Sequence, residues 1–188
     1  FLTPNGIRSL MENDKNLILS RNRQMTSAAL RSLGFAFKLH NHTNNSYSEN
    51  DLIFLGIMGM EDPPRGEVRD AIASCFQSGI KIKMITGDDK RTAHAIGKQI
   101  GLLGEIMEGK DIDNLSDEEL REAVNNTAIF SRVEPSHKLR IVKALKANKE
   151  IVTMTGDGVN DAPALKEAHI GVAMGKNGTD VSRSVADI

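Results

Sequence analysis

The stretch that most constrains the fold is Glu150-Ile151-Val152-Thr153-Met154 followed by Thr155-Gly156-Asp157-Gly158-Val159-Asn160-Asp161-Ala162-Pro163-Ala164-Leu165. Its first five residues are short, apolar and rich in β-branched side chains, the pattern of a strand covered on both faces. The segment 162–168 reads as a helix, with Asn160 or Asp161 near its cap and Pro163 in its first turn, where a missing N–H is tolerated. Two carboxylates, Asp157 and Asp161, therefore fall where a strand passes into a helix. Gly156 and Gly158 flank the first, so the backbone can turn sharply and a ligand can come close. Open α/β sheets bind ligands at such junctions. Hard oxygens on a loop suit Mg²⁺, which takes one or two carboxylates together with water and phosphate oxygens. Taken singly, the same two residues also fit a turn former and a helix cap.

Strand-to-helix alternation runs through most of the chain. Helices are expected at 66–77, at 90–100 closed by Gly101, at 116–124 and at 135–147, with a last one from about Thr179. The third opens on a capping box, Ser116 with Glu119, and the fourth carries Pro135 in its first turn. Strands are expected at 81–86, 128–131, 150–155 and 170–173. The alternation predicts an α/β fold with a parallel sheet and right-handed crossovers. Upstream, residues 1–19 read as irregular, 20–33 as a helix ended by Gly34, 35–39 as a strand, 40–51 as an exposed polar loop and 53–60 as a strand. Asp62-Pro63-Pro64-Arg65 stiffens and breaks the chain, which places a domain boundary there, between 1–61 and 62–188.

Composition narrows the function classes. With 39% hydrophobic and 26% charged residues, a chain of 188 residues can bury a core, and a formal charge of -1 gives no electrostatic case for nucleic acid. A single cysteine, Cys75, excludes an internal disulfide and fits a reducing compartment; Ile72 and Phe76 place it on a buried helix face. No run approaches the roughly 18 apolar residues of a membrane span, and no signal peptide is visible. The chain starts at Phe1 and stops within a helical pattern, so it is expected to be a piece of something longer.

Two further segments carry chemistry. Ile85-Thr86-Gly87-Asp88 is a second strand-to-loop junction, where Thr86 offers a hydroxyl and Gly87 a backbone N–H to a phosphate at the following helix, with Asp88 as a cap or orienting carboxylate. A turn with an N-cap fits that tetrapeptide equally. Lys138, in Glu134-Pro135-Ser136-His137-Lys138, lies in the first turn of a helix, a poor place for a cation unless it meets an anion. It suits a phosphate as a point charge, although a solvated lysine is the ordinary alternative. His137 reads as structural, since no zinc partners accompany it.

The string TGDGVNDAPAL resembles the hallmark of the P-type ATPases, the ion pumps that form an aspartyl-phosphate. Thr86-Gly87-Asp88 is similar to the segment with which they hold the phosphoryl group, and EPSHK to an element of the calcium-pump branch whose lysine contacts phosphoryl oxygens. The family often has Asn or His after TGD; here Asp89 follows. Asp62-Pro63-Pro64-Arg65 looks like the family's hinge, where Asp62 and Arg65 approach ATP, and Arg31 falls near a phosphate-contacting arginine of its nucleotide domain. Gly171-Val172-Ala173-Met174-Gly175 and Gly178-Thr179-Asp180-Val181 extend the likeness, which is weak before about Thr26. The resemblance implies a Rossmann-like parallel sheet of the haloacid-dehalogenase-like type over 62–188, the phosphorylation domain. It also implies the tail of an α+β nucleotide-binding domain over 1–61. It further implies Mg²⁺ on Asp157 and Asp161, with Asn160 ordering that site, ATP as substrate, and Thr86, Gly87 and Lys138 holding the transferring phosphoryl. It places the parent on the cytoplasmic face of a membrane, moving a cation, calcium or a similar one, through helices absent here. The family's nucleophile is the Asp of a DKTGT segment, and this sequence has none. In the implied fold that strand lies between 81–86 and 150–155. The flanking strands are then expected to pair directly, to admit another segment, or to associate between two copies. A soluble phosphatase of the same fold, or a non-catalytic binding module, is the alternative.

Overall fold

The computed structural model describes residues 1–28, 30–39, 49–60, 63–176 and 178–188, which form two units, Phe1–Pro63 and Pro64–Ile188. Asp62 lies outside the described residues, as does most of the loop expected at 40–51.

The first unit holds a short hairpin of β1 (Leu2–Thr3) and β2 (Gly6–Ile7), helix α1 (Glu12–Ser27), and an antiparallel pair, β3 (Arg31–Phe37) with β4 (Ile53–Met60). The helix starts at Glu12, within the segment read as irregular, and ends before Leu30. Its start is closed by Asp14, whose carboxylate accepts the Met11 N–H at 2.9 Å and grips the Arg8 guanidinium at 2.6 and 2.7 Å. That pairing holds the Asp14 carboxyl down at about 2. Residues 31–34, read as the end of a helix, are strand instead. Arg31 faces Met60, Leu33 faces Met58 and Gly34 faces Ile57, so a ladder with a distant segment overrides local helical periodicity. Gly34 is therefore mid-strand, and Arg31 sits exposed on a strand.

In the second unit the alternation holds. Its elements are α2 (Val68–Gln77), β5 (Met84–Ile85), α3 (Lys90–Ile100), β6 (Glu105–Glu108), α4 (Gly109–Asp113), α5 (Asp117–Asn126), β7 (Thr127–Ser131), α6 (Pro135–Ala147), β8 (Thr153–Gly156), α7 (Ala162–Glu167), β9 (Ile170–Ala173) and α8 (Asp180–Val185). Gly101 ends α3 in the left-handed region at φ 78°, and Ser116 with Glu119 boxes the start of α5. Strand β6 and helix α4 escape the sequence reading. Only Ile106 and Met107 are apolar in β6, too few to show a period. Strand β5 is two residues long, and just before it Lys83 donates its ammonium to the Thr127 carbonyl at 2.6 Å, with burial holding its pKa below the usual lysine value.

The strands form two parallel sheets, β5-β7-β6 and β8-β9. Among the described residues β5 and β8 do not pair with each other, and each has a ladder partner on one side only. Direct pairing and filling by another described segment, two of the three expected outcomes, are thus not what is seen. The sheets share a core through α6. Ile141 and Ala144 pack with Phe130, Leu120 and Val124, while Val142 packs with Met154, Ala164 and Leu165. Ile85 touches both clusters. Lys81 and Glu150, just before β5 and β8, meet at 2.6 Å.

Candidate functional site at the ends of the parallel strands

Strand β8 ends in Gly156, and the chain turns through Asp157 and Gly158 into a 3-10 turn, Val159–Asp161, before α7. The turn is organised by Asp161, which is buried. Its Oδ2 accepts the N–H of Gly158 at 3.1 Å and of Asp157 at 3.2 Å, and its Oδ1 accepts the Lys138 ammonium at 2.5 Å. Burial pushes its pKa up, but the lysine and the two N–H groups outweigh that and hold the carboxyl below its ordinary value. The sequence reading gave Asp161 to a metal; in the structure both its oxygens are engaged by Lys138 and the loop backbone. Asp157, by contrast, is exposed, as is Asn160.

Gly156 has no room for a side chain. A Cβ there would lie 2.6 Å from the Asp161 Cβ and 2.9 Å from its Cγ. Gly156→Ala should cost about 1–3 kcal/mol in urea unfolding, by forcing Asp161 off its loop. An unchanged midpoint with unchanged Asp157 and Gly158 amide signals would show that the loop relaxes freely.

Asp157 is also held from its carbonyl side. Thr179 N–H donates to the Asp157 oxygen at 2.8 Å and the Ser182 hydroxyl at 3.2 Å, with Ser182 fully buried and Thr179 capping α8. Sequence reading placed the helix start at Thr179 but gave neither residue a role. The signal available was the Thr-x-x-Ser cap itself, which names a helix start and not what its free groups reach.

At the end of β5, Thr86 continues the ladder to β7: its N–H donates to the Phe130 carbonyl and its own carbonyl accepts from the Val133 N–H just past β7. The Thr86 hydroxyl donates to Asp88 Oδ2 at 2.9 Å and accepts the Asp88 N–H at 3.1 Å. Asp88 thus orients Thr86, while the cap of α3 is Asp89, which accepts from the N–H groups of Arg91 and Thr92. Gly87 is exposed, with nothing within 4 Å of an added Cβ. The Asp88 carbonyl accepts the Arg132 N–H at 2.8 Å, and Arg132 takes the left-handed φ of 48° as the chain turns into α6.

The structure therefore joins Lys138, Asp157, Gly158 and Asp161 in one bonded network, and Thr86 with Asp88 in another. Arg65 is an exposed residue at the start of the second unit, and Arg31 belongs to the first. Among the described residues no cluster of three or more His, Cys, Asp or Glu could hold a metal. The hard oxygens of an exposed Asp157 fit Mg²⁺ nonetheless, because that ion draws most of its ligands from water and phosphate.

The family model of the haloacid dehalogenase-like hydrolases matches residues 12–169. The chain belongs to that family. Curated relatives of the chain are much longer. Calcium-transporting ATPase 1 of Bacillus cereus is 52% identical over 187 residues, covering 97% of this chain and 21% of the relative. The calcium-transporting ATPase of Bacillus subtilis is 49% identical over 172 residues, covering 88% and 19%. Calcium-transporting ATPase 4, endoplasmic reticulum-type, of Arabidopsis thaliana is 41% identical over 214 residues, covering 100% and 20%. The chain thus spans about a fifth of the length of these relatives. The pump resemblance read from TGDGVNDAPAL and its companion motifs agrees with them. No helix among the described residues is long and apolar enough to cross a membrane.

Proposed function

We propose that this chain is the phosphoryl-handling portion of an ATP-driven cation pump working through an aspartyl-phosphate. In this reading 62–188 is its phosphorylation domain and 1–61 the tail of its nucleotide-binding domain. The observation that carries this is the Lys138–Asp161 pair knitted to the Gly156–Gly158 loop, which leaves Asp157 exposed on a backbone held at both its N–H and its carbonyl. Such an arrangement suits phosphoryl transfer, where a protein's work is positioning and charge neutralisation. Asp157 would hold Mg²⁺, which supplies charge neutralisation at the phosphoryl oxygens. Asp161 keeps the loop shaped and Lys138 aimed, and Asn160 stands beside them. Lys138 meets the phosphoryl as a point charge, and Thr86 and Gly87 offer it a hydroxyl and an N–H, with Asp88 fixing the hydroxyl. The pump resemblance assigns contacts with ATP to Arg31, Asp62 and Arg65. The nucleophile comes from a segment this sequence does not contain, and the transported cation, of the calcium class, passes through membrane helices elsewhere in the parent. The catalytic portion then lies on the cytoplasmic side.

A Mg²⁺ titration followed by amide NMR tests the reading. Gly156, Gly158 and Asp161 signals should move in the native chain and in Asp180→Asn, whose carboxylate is exposed and paired with Arg183. They should stand still in Asp157→Asn. Binding is expected to be weak, because one carboxylate without phosphate makes a poor Mg²⁺ site. Silence of those amides in the native chain would rule the assignment out.

A further inference from the structure

His137 is almost fully buried, 4% exposed, and bonded at both ring nitrogens. Its Nδ1 accepts the Glu134 N–H at 3.0 Å, so the ring proton sits on Nε2, which donates to Asp113 Oδ1 at 2.7 Å. Glu134 is the N-cap of α6, yet its side chain makes no cap bond; the imidazole three residues on closes the turn. In α1 and α4 the same place is taken by a carboxylate, Asp14 and Asp111, each accepting the N-cap N–H. Gly109 makes room for the ring, since a Cβ there would lie 2.9 Å from Nδ1. The very next residue is Lys138, whose ammonium reaches Asp161.

We propose that His137 is the positioning residue for Lys138. Its neutral ring closes the first turn of α6 and ties it to the end of α4, and so fixes the backbone from which the ammonium is aimed. A neutral acceptor has a specific advantage here. The carboxylate used in α1 and α4 would put a negative charge one residue from Lys138 and compete with the anion it is to meet. The imidazole satisfies the orphan N–H without that charge. This rests on the phosphoryl reading of Lys138 only for its purpose; the positioning itself is a property of the chain without metal or phosphate.

The test is NMR of the ¹⁵N-labelled, metal-free chain. Long-range imidazole spectra should show a bare Nδ1 and a protonated Nε2 on His137. In His137→Ala the Lys138 ammonium signal should be lost to exchange, and the Asp157 and Gly158 amides, which bond to Asp161, should shift. His137→Asn, which offers a neutral acceptor near the Nδ1 position, should return them towards their native places. A merely structural histidine would not be rescued in this way. A proton on Nδ1 overturns the proposal, and so does a folded His137→Ala with Lys138 and both amides unmoved. Should His137→Ala fail to fold, a folded His137→Asn decides: native signals support the proposal and lost ones overturn it. The Mg²⁺ titration fails or succeeds independently of these spectra, so the two readings can be separated.

Discussion

Asp161→Ala should lower the unfolding free energy by about 3–4 kcal/mol, the toll of breaking a buried ion pair and leaving its cation behind. Three donors lose their acceptor at once: the Lys138 ammonium and the N–H groups of Asp157 and Gly158. The lysine side chain is 19% exposed and can turn partly towards water, which keeps the cost at the lower end of that range. Asp180→Ala removes an ion pair of similar length whose carboxylate is 95% exposed, and should cost no more than about 0.5 kcal/mol. Urea unfolding of both variants checks the contrast, and equal losses would mean that Asp161 is not the keystone of its loop. An acid arm sharpens the result. The folded Asp161 carboxyl titrates below its ordinary value of 3.8, so its contribution is complete above that pH and is lost as pH falls through the lower, folded value. The gap in stability between native chain and Asp161→Ala should therefore be constant near neutrality and close on acidification below 3.8. Asp14 titrates low as well, but it is present in both proteins and cancels in the difference.

A peptide carrying the pumps' DKTGT strand should raise the melting temperature of this chain. Strands β5 and β8 each pair on one side only among the described residues, and a strand between them would need about 10 Å, two strand spacings. The side chains of Lys81 and Glu150 meet just before these strands, and Ile85 touches the cores of both sheets. At a hundredfold excess over its Kd the peptide adds about 2.7 kcal/mol. For a domain of this size that is on the order of 10 °C. A scrambled peptide of the same composition should do nothing. A flat melting curve at high excess would show that no slot exists. If a second copy occupies the edge instead, sedimentation will show a concentration-dependent dimer that the peptide dissolves.

Much of the second unit is legible along the chain because its signals are local. Gly101 past the end of α3, the Ser116–Glu119 box and Pro135 at the start of α6 act within one helical turn, and each ends or starts a helix where it was read. The TGDGVNDAPAL junction is equally local, since glycines, carboxylates and a first-turn proline are all within a dozen residues of one another. In the first unit the strand expected at 53–60 is found as β4, but residues 31–34 are strand rather than helix for the opposite reason. Residues 31–34 become strand only because residues 57–60 lie beside them, and no window around Gly34 contains that information.

The site divides in the same way. Residue type at a strand or helix end is enough to nominate Thr86, Gly87, Lys138, Asp157 and Asp161 as candidates for a phosphate and a hard cation. Which of them bond to one another is visible only once the chain is folded. Lys138 and Asp161 are 23 residues apart; their pairing occupies Oδ1 of Asp161, the loop N–H groups of Asp157 and Gly158 occupy Oδ2, and Asp157 itself stays exposed. The Thr179–Ser182 hold on Asp157 and the His137–Asp113 bond likewise join groups 22 to 25 residues apart. A hydrogen bond needs its partners within about 3 Å. Sequence spacing fixes that distance inside a helix or a turn, and packing alone fixes it between elements.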